Sequence, residues 1–118
     1  MIKGWRLVVE TTKKQLIQQG KQIIKEYQHN QLLVQASKLP LNPQGQQLVQ
    51  QAQAYNERID QMVDLITPER TQQTVILHGL QGRSSESLQA TLALSVRRIT
   101  DVYQQGLAQL AQLDAITV

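Results

Sequence analysis

The spacing of apolar residues along the chain predicts amphipathic helices. In the middle of the sequence, apolar side chains recur every three or four residues, at Leu48, Ala52, Tyr55, Ile59, Met62 and Ile66. This period places them on one side of an α-helix. The same period runs through Trp5, Val9, Leu16, Gly20, Ile23 and Tyr27, and again through Leu88, Leu92, Val96, Ile99, Tyr103, Leu107 and Leu110. We therefore predict that the core includes Leu48, Tyr55, Ile59, Leu92, Val96 and Ile99.

Proline and helix-capping residues divide this pattern into four predicted helices. Pro40 disfavours helix just before it, and Asn42 followed by Pro43 is typical of a helix start. Thr67–Pro68 repeats that start signal, Gly79 and Gly82 mark a helix end, and Ser84 or Ser85 caps the next helix. The predicted helices span about residues 3–36, 43–66, 68–80 and 85–113, followed by a frayed tail.

The predicted fold is a single all-α domain covering residues 1–118. Short connections favour antiparallel neighbours, so we expect an antiparallel up-down four-helix bundle with long amphipathic helices and a third helix that is the shortest. Gly20 lies on the first apolar stripe, where the lack of a side chain allows another helix to approach closely. A helix of ~28 residues would be ~42 Å long, which exceeds a small bundle and predicts a dimer formed through an exposed part of the stripe.

Composition narrows the chemistry that the helices can support. Twenty-two of the 118 residues are glutamine, so the solvent-exposed faces of the helices are polar but carry few charges. The absence of cysteine excludes disulfides and thiolate metal sites. No apolar run reaches the ~18–20 residues of a membrane span, and the apolar stretch near the start is too short for a signal peptide. We therefore expect a cytoplasmic protein with no transmembrane segment, cofactor or metal.

Positive charge is concentrated at the N-terminal end. The net charge of +3 divides into +5 for residues 1–40 and −2 for residues 41–118, and all six lysines belong to the first part. On a helical wheel Lys3, Lys14, Lys21 and Lys25 fall within about 40° of one another, with Arg6 and Lys13 beside them. This basic face predicts weak binding of a polyanion, either nucleic acid or an anionic membrane, through Lys3, Arg6, Lys14, Lys21 and Lys25. The alternatives are a solvated face or a contact with the acidic part of the chain.

The segment around His78 suggests a second chemistry. The run Leu77-His78-Gly79-Leu80-Gln81-Gly82-Arg83-Ser84-Ser85 resembles the phospho-accepting helix of histidine phosphotransfer domains, whose motif is His-x-Leu-Lys-Gly followed by small residues. Those domains are helical bundles of similar size, and the resemblance implies that His78 accepts a phosphoryl group. The run departs from the motif at Gln81, where the family has lysine. The alternative is a partly exposed histidine at a helix C-terminus, where the helix dipole favours it.

The remaining patterns do not indicate catalysis. Glu57, Asp60 and Asp64 share a helix face, which is typical either of a solvated acidic surface or of a cation ligand set. The sequence has no glycine-rich phosphate loop after a strand, no zinc-protease motif and no nucleophile elbow. We therefore expect a non-enzymatic protein–protein interaction module, comparable to small bacterial chaperone, immunity or adaptor bundles, with a protein partner or a second copy as its ligand.

Overall fold

The fold consists of helices throughout the part of the chain that can be described. A computed structural model describes residues 2–117, and the side chains of residues 13–117. The five α-helices are α1 (Ile2–Gln35), α2 (Pro43–Val63), α3 (Glu69–Thr74), α4 (Ser85–Leu92) and α5 (Val96–Ile116). A 3₁₀ turn, Ala36–Lys38, follows α1, and α3 continues as a π-helix over Val75–Leu80. No strand occurs between residues 2 and 117, which confirms the all-α prediction.

Helix α1 is the central element, since both α2 and α5 pack against it. Helix α5 runs antiparallel to α1: Gly20 faces Leu107, and Leu16 lies beside Leu113. A Cβ atom on Gly20 would lie only 2.7 Å from the Cβ of Leu107 and 2.8 Å from its carbonyl carbon. The predicted close approach at Gly20 is therefore confirmed. The main core lies between these helices and α3, and its fully buried side chains include Ile59, Val63, Val75, Leu107 and Leu110.

The prediction of four helices is wrong, because the expected helix over residues 85–113 is two helices. Ala93 ends α4 in the left-handed conformation with φ 55°, and Ser95 begins α5 by accepting a hydrogen bond from the Arg98 N–H at 3.2 Å. This break folds α4 back onto the start of α5. It buries Leu88 and Ile99 together in a second, smaller core. In a continuous helix Leu88 would lack this contact with Ile99.

Two of the predicted capping residues are confirmed, and the third, Thr67, is wrong. The side chain of Asn42 accepts the Gly45 N–H at 2.7 Å, and that of Ser84 accepts the Ser87 N–H at 3.2 Å. The third start is different, because Pro68 occupies the capping position of α3 and makes no side-chain cap bond. The predicted frayed tail is also wrong, since α5 continues to Ile116.

The burial predictions hold best where two helices cover the stripe. Ile59, Leu92 and Ile99 are buried as predicted, whereas Tyr55 and Val96 are half-buried. The prediction that Leu48 is buried is wrong: its side chain is 54% exposed, and the neighbouring Val49 is buried instead. Trp5 and Val9, the first members of the N-terminal stripe, lie outside the side chains that the structure describes.

Polar groups set the register between α1 and α2. The Asn30 side-chain amide donates to Asn56 Oδ1 at 3.3 Å, and the Asn56 amide donates to the Tyr27 carbonyl at 3.1 Å. Both asparagines are buried. Since a buried polar group that loses its partner costs roughly 1–3 kcal/mol, sliding one helix along the other would be opposed at this point.

Candidate functional site

The basic face of α1 is the first candidate site. Lys14, Lys21 and Lys25 are all exposed, and they lie on the side of α1 away from Gly20 and α5. From Lys14 to Lys25 the helix rises by about 16 Å at ~1.5 Å per residue, so the three ammonium groups form a linear array. Lys3 and Arg6, predicted to extend this array, lie outside the side chains that the structure describes.

No carboxylate within the described part of the chain pairs with this basic face. Among side chains 13–117, the ion pair that forms joins Arg58 to Asp114 at 2.5 Å, on a different part of the surface. The predicted alternative of contact between the basic face and the acidic half of the chain is therefore not formed by Lys14, Lys21 or Lys25. All three lysines are exposed, so an external anion can reach them.

The second candidate, His78, is held in one orientation by its neighbours. It lies in the π-helical turn, half-buried, with its ring packed edge-on against Tyr103 at a centroid distance of 4.6 Å and an interplanar angle of 85°. Nδ1 lies 2.7 Å from the carbonyl oxygen of Arg83. Because a carbonyl oxygen only accepts hydrogen bonds, Nδ1 carries the proton and donates it.

The surroundings of His78 differ from the helix that the phosphotransfer resemblance implies. Gly82, one turn further on, has left the helix and adopts φ 69°. Tyr103 fills the inner side of the turn, where burial raises the pKa of its hydroxyl to about 12. The predicted helix end at Gly79 and Gly82 therefore takes the form of a π-turn followed by a loop, and the phospho-acceptor role of His78 stays a prediction.

The acidic face of α2 is exposed at Glu57, Asp60 and Asp64. Asp60 accepts a hydrogen bond from the Tyr27 hydroxyl at 2.8 Å. Burial, together with this bond and the charge of Asp60, raises the pKa of Tyr27 to about 12. Within residues 13–117, no cluster of three His, Asp or Glu side chains is arranged to hold a metal ion. The exposure of the three carboxylates agrees with a solvated acidic surface, and the choice between that surface and a cation ligand set stays a prediction.

An apolar cleft, which the sequence interpretation missed, lies where the bundle ends. It measures about 540 Å³, and its lining includes Leu16, Leu65, Leu113, Ile116, Gln109 and Gln112. Leu65 is 65% exposed and Ile116 is 79% exposed, which makes them two of the most exposed large apolar side chains described. None of the lining side chains among residues 13–117 is charged. In the sequence, the signal for this cleft is Leu65, because this residue is apolar but lies off the predicted apolar stripe of α2.

Glutamine 109 connects the cleft to the turn before α3. Its side-chain amide accepts the Thr67 N–H at 3.0 Å and donates to the Thr67 carbonyl at 2.5 Å. A single side chain thus satisfies both backbone groups of a residue in an exposed turn. This pairing holds the segment that carries Leu65 close to α5, so that α2, α3 and α5 meet at one end of the molecule.

Comparisons with known proteins do not assign the chain to a family. No protein-family model, curated protein or solved structure matches it. Within residues 2–117, no helix combines the length and the apolar composition that crossing a bilayer requires.

Proposed function

We propose that this chain is a cytoplasmic, non-enzymatic module that binds protein, of the adaptor, chaperone or immunity kind, and that the apolar cleft is its binding surface. The observation that supports this proposal is the exposure of Leu65 and Ile116 next to Leu16 and Leu113. Isolated exposed leucines are ordinary on protein surfaces, but a group of them lining a concave surface is typical of an interaction site.

The composition of the cleft suits an amphipathic helix as ligand. Among the described residues, the cleft is lined by aliphatic side chains and by the neutral amides of Gln109 and Gln112. Neutral amides donate and accept hydrogen bonds without the desolvation cost of a charge. A helix that places leucine-sized residues three and four positions apart would fill such a groove, as in other helix-in-groove complexes.

The test compares immobilised wild-type protein with a Leu65→Asp variant as bait in an extract of the native host. Leu48→Asp is the matched control, because Leu48 is a similarly exposed leucine on a distant part of α2. We expect a protein retained by the wild type and by Leu48→Asp to be lost with Leu65→Asp, and the same loss in calorimetry with the purified partner. Equal retention by all three baits would contradict the use of this cleft.

A second candidate function, binding of an anionic surface, is supported by the exposed lysines of α1, Lys14, Lys21 and Lys25. Replacing Lys14, Lys21 and Lys25 together by glutamine should weaken binding to DNA, RNA or anionic vesicles and flatten its salt dependence. Roughly one unit of log–log slope is lost per phosphate contact removed. A variant in which the exposed Arg70, Arg97 and Arg98 are changed to glutamine loses the same charge elsewhere on the surface.

The two triple variants separate a local site from general electrostatics. Binding that depends on the basic face is weakened only by the lysine changes, whereas non-specific attraction is weakened equally by both sets. If neither the wild type nor either variant binds a polyanion at physiological salt, the basic face is a solvated surface.

A further inference from the structure

The lengths of the helices leave part of α1 beyond its partners. Helix α1 has 34 residues, whereas α2 and α5 have 21 each. Because Gly20 faces Leu107 and the two helices are antiparallel, Ile116, nine residues after Leu107, lies level with about residue 11 of α1. Residues 2–10 of α1 therefore extend about 13 Å past the end of α5 at ~1.5 Å per residue.

Helix α2 does not cover this extension either. Asn56 of α2 bonds to Asn30 and to the Tyr27 carbonyl, and the two helices run in opposite directions from there. Leu65, nine residues after Asn56, is consequently level with about residues 18–21 of α1, within about one turn of Leu16, and Leu16 and Leu65 both line the apolar cleft. The cleft thus lies at the foot of the extension, with Leu16 shared between the cleft and the N-terminal apolar stripe.

We propose that the N-terminal segment of α1, residues 2–12, occupies the apolar cleft of a second copy of this chain, and that the two copies form a symmetric dimer in this way. This inference rests on the proposed function, and it identifies the ligand of the apolar cleft as a second copy of the chain. In sequence, the stripe that reaches the cleft at Leu16 continues through Val9 to Trp5, so each copy carries both an apolar helix segment and an apolar cleft. With a two-fold axis between the copies, the segment of each copy can bind the cleft of the other, since both halves of such an interface are the same surface.

Charge favours the same pairing. Residues 2–12 carry Lys3 and Arg6 against Glu10 alone. The cleft lies where α2 and α5 both end, at Val63 and Ile116. The carbonyl ends of helices carry partial negative charge, which attracts cations. The basic segment of one copy would therefore meet the negative ends of two helices in the other.

The first experiment measures mass by size-exclusion chromatography with light scattering. We expect the wild type to have twice the chain mass of 13.4 kDa. Leu65→Asp and Val9→Asp should each halve it, since a carboxylate would enter the apolar interface from opposite sides. Leu48→Asp, an equally drastic change at an exposed leucine elsewhere, should leave the dimer intact, and circular dichroism checks that each variant is folded.

The second experiment identifies the contacting residues. Because the chain has no cysteine, a mixture of Val9→Cys and Leu65→Cys chains can form a hetero-disulfide only between copies. We expect that product under mild oxidation, and little of it for a mixture of Val9→Cys and Leu48→Cys. Trp5 is the sole tryptophan, so its emission should shift to longer wavelength when dilution or Leu65→Asp dissociates the dimer.

A wild-type protein that is monomeric at high concentration would overturn the inference, as would a dimer whose mass is unchanged by Leu65→Asp. These outcomes leave the proposed function separately testable. If a monomeric wild type loses a host protein on Leu65→Asp, the cleft binds a different helix and only the second copy is excluded.

Discussion

Gly20→Ala is the change that most directly tests how closely α1 and α5 approach. In an isolated helix this substitution is favourable, because alanine has the higher helix propensity by roughly 1 kcal/mol. In the folded protein the added Cβ would lie 2.7 Å from the Cβ of Leu107 and 2.8 Å from its carbonyl carbon. These atoms belong to the backbone of α5 or are attached directly to it, so no rotation of a side chain relieves the clash.

The two effects oppose each other, and the clash is the larger. Added methyl groups in a packed core cost typically 1–3 kcal/mol even where side chains can adjust, and here a whole helix must shift. We expect Gly20→Ala to lower the free energy of unfolding by a net ~1–2 kcal/mol. For a chain of this length each kcal/mol corresponds to roughly 3–6 °C in Tm.

Gly106 provides the comparison that isolates the cause. A Cβ there would meet the Cγ2 methyl of Val75 and lie 3.2 Å from Thr71 Cγ2, both of which are side-chain atoms. We expect Gly106→Ala to be destabilising too, but Val75→Ala should relieve part of its cost, giving a favourable coupling of the order of 1 kcal/mol in a double-mutant cycle. Leu107→Ala should not relieve Gly20→Ala, because the Cβ and carbonyl of residue 107 remain.

Urea unfolding followed by circular dichroism measures all of these variants, with Gln19→Ala as a control at an exposed position of α1. The reasoning is refuted if Gly20→Ala is as stable as the wild type or more so, because α1 and α5 would then be further apart than their backbone positions indicate. A rescue of Gly20→Ala by Leu107→Ala would equally contradict a backbone clash.

Three further predictions concern other parts of the fold. Ala93→Gly should raise stability by up to ~1 kcal/mol in urea unfolding, because glycine adopts the left-handed conformation without the steric cost that alanine bears; a loss would contradict the φ of 55°. Gln109→Ala should cost ~1–2 kcal/mol by freeing both backbone groups of Thr67, whereas Gln112→Ala should cost a few tenths, and equal effects would refute the pairing. Burial raises the pKa of Tyr103 to about 12, above the value of 10.0 for an unperturbed tyrosine. Between these two pH values the hydroxyl of the folded protein keeps its proton, whereas that of the unfolded chain loses it. Stability should therefore fall as the pH rises from about 10 to 12, and less steeply in Tyr103→Phe; unfolding at each pH measures both slopes.

Periodicity and capping chemistry account for the parts of the fold that were predicted. The stripe of α2 and the cap at Asn42 are local signals, and they identify the helix and its start without reference to the rest of the molecule. The basic face is predictable for the same reason, because one helical period relates Lys14, Lys21 and Lys25. Such features depend on residues within a few turns of one another.

The break between α4 and α5 shows where local signals fail. Alanine is the best helix former, so a left-handed residue at Ala93 runs against its own propensity. What stabilises the break is the burial of Leu88 against Ile99, which depends on how two helices meet. Ser95 was the available local signal, since it caps α5, but an isolated serine inside a helical period does not reveal whether the chain will turn there.

Leu48 and Leu65 show what periodicity predicts about exposure and what it does not. Leu48 lies on the predicted stripe of α2 but is exposed, and its neighbour Val49 is buried. Leu65 lies off the stripe and is exposed beside the buried Ile66, as the period predicts, but the period does not indicate which other helix ends lie near it. The sequence pattern therefore does not predict the cleft, because the cleft exists only where the ends of α2 and α5 meet Leu16.

The two candidate surfaces lie on different sides of α1, which makes their roles separable. Leu16 faces the cleft, whereas Lys14, Lys21 and Lys25 point away from Gly20 and its partner helix. A charge change on the basic face therefore leaves the apolar cleft intact, and Leu65→Asp leaves the lysines intact. The surrounding surface is largely neutral glutamine, which offers hydrogen bonds but little long-range attraction. These are the two surfaces at which we expect specific binding. A dimer formed through the cleft would present two basic faces to a single polyanion, with the gain in avidity that two linked sites provide.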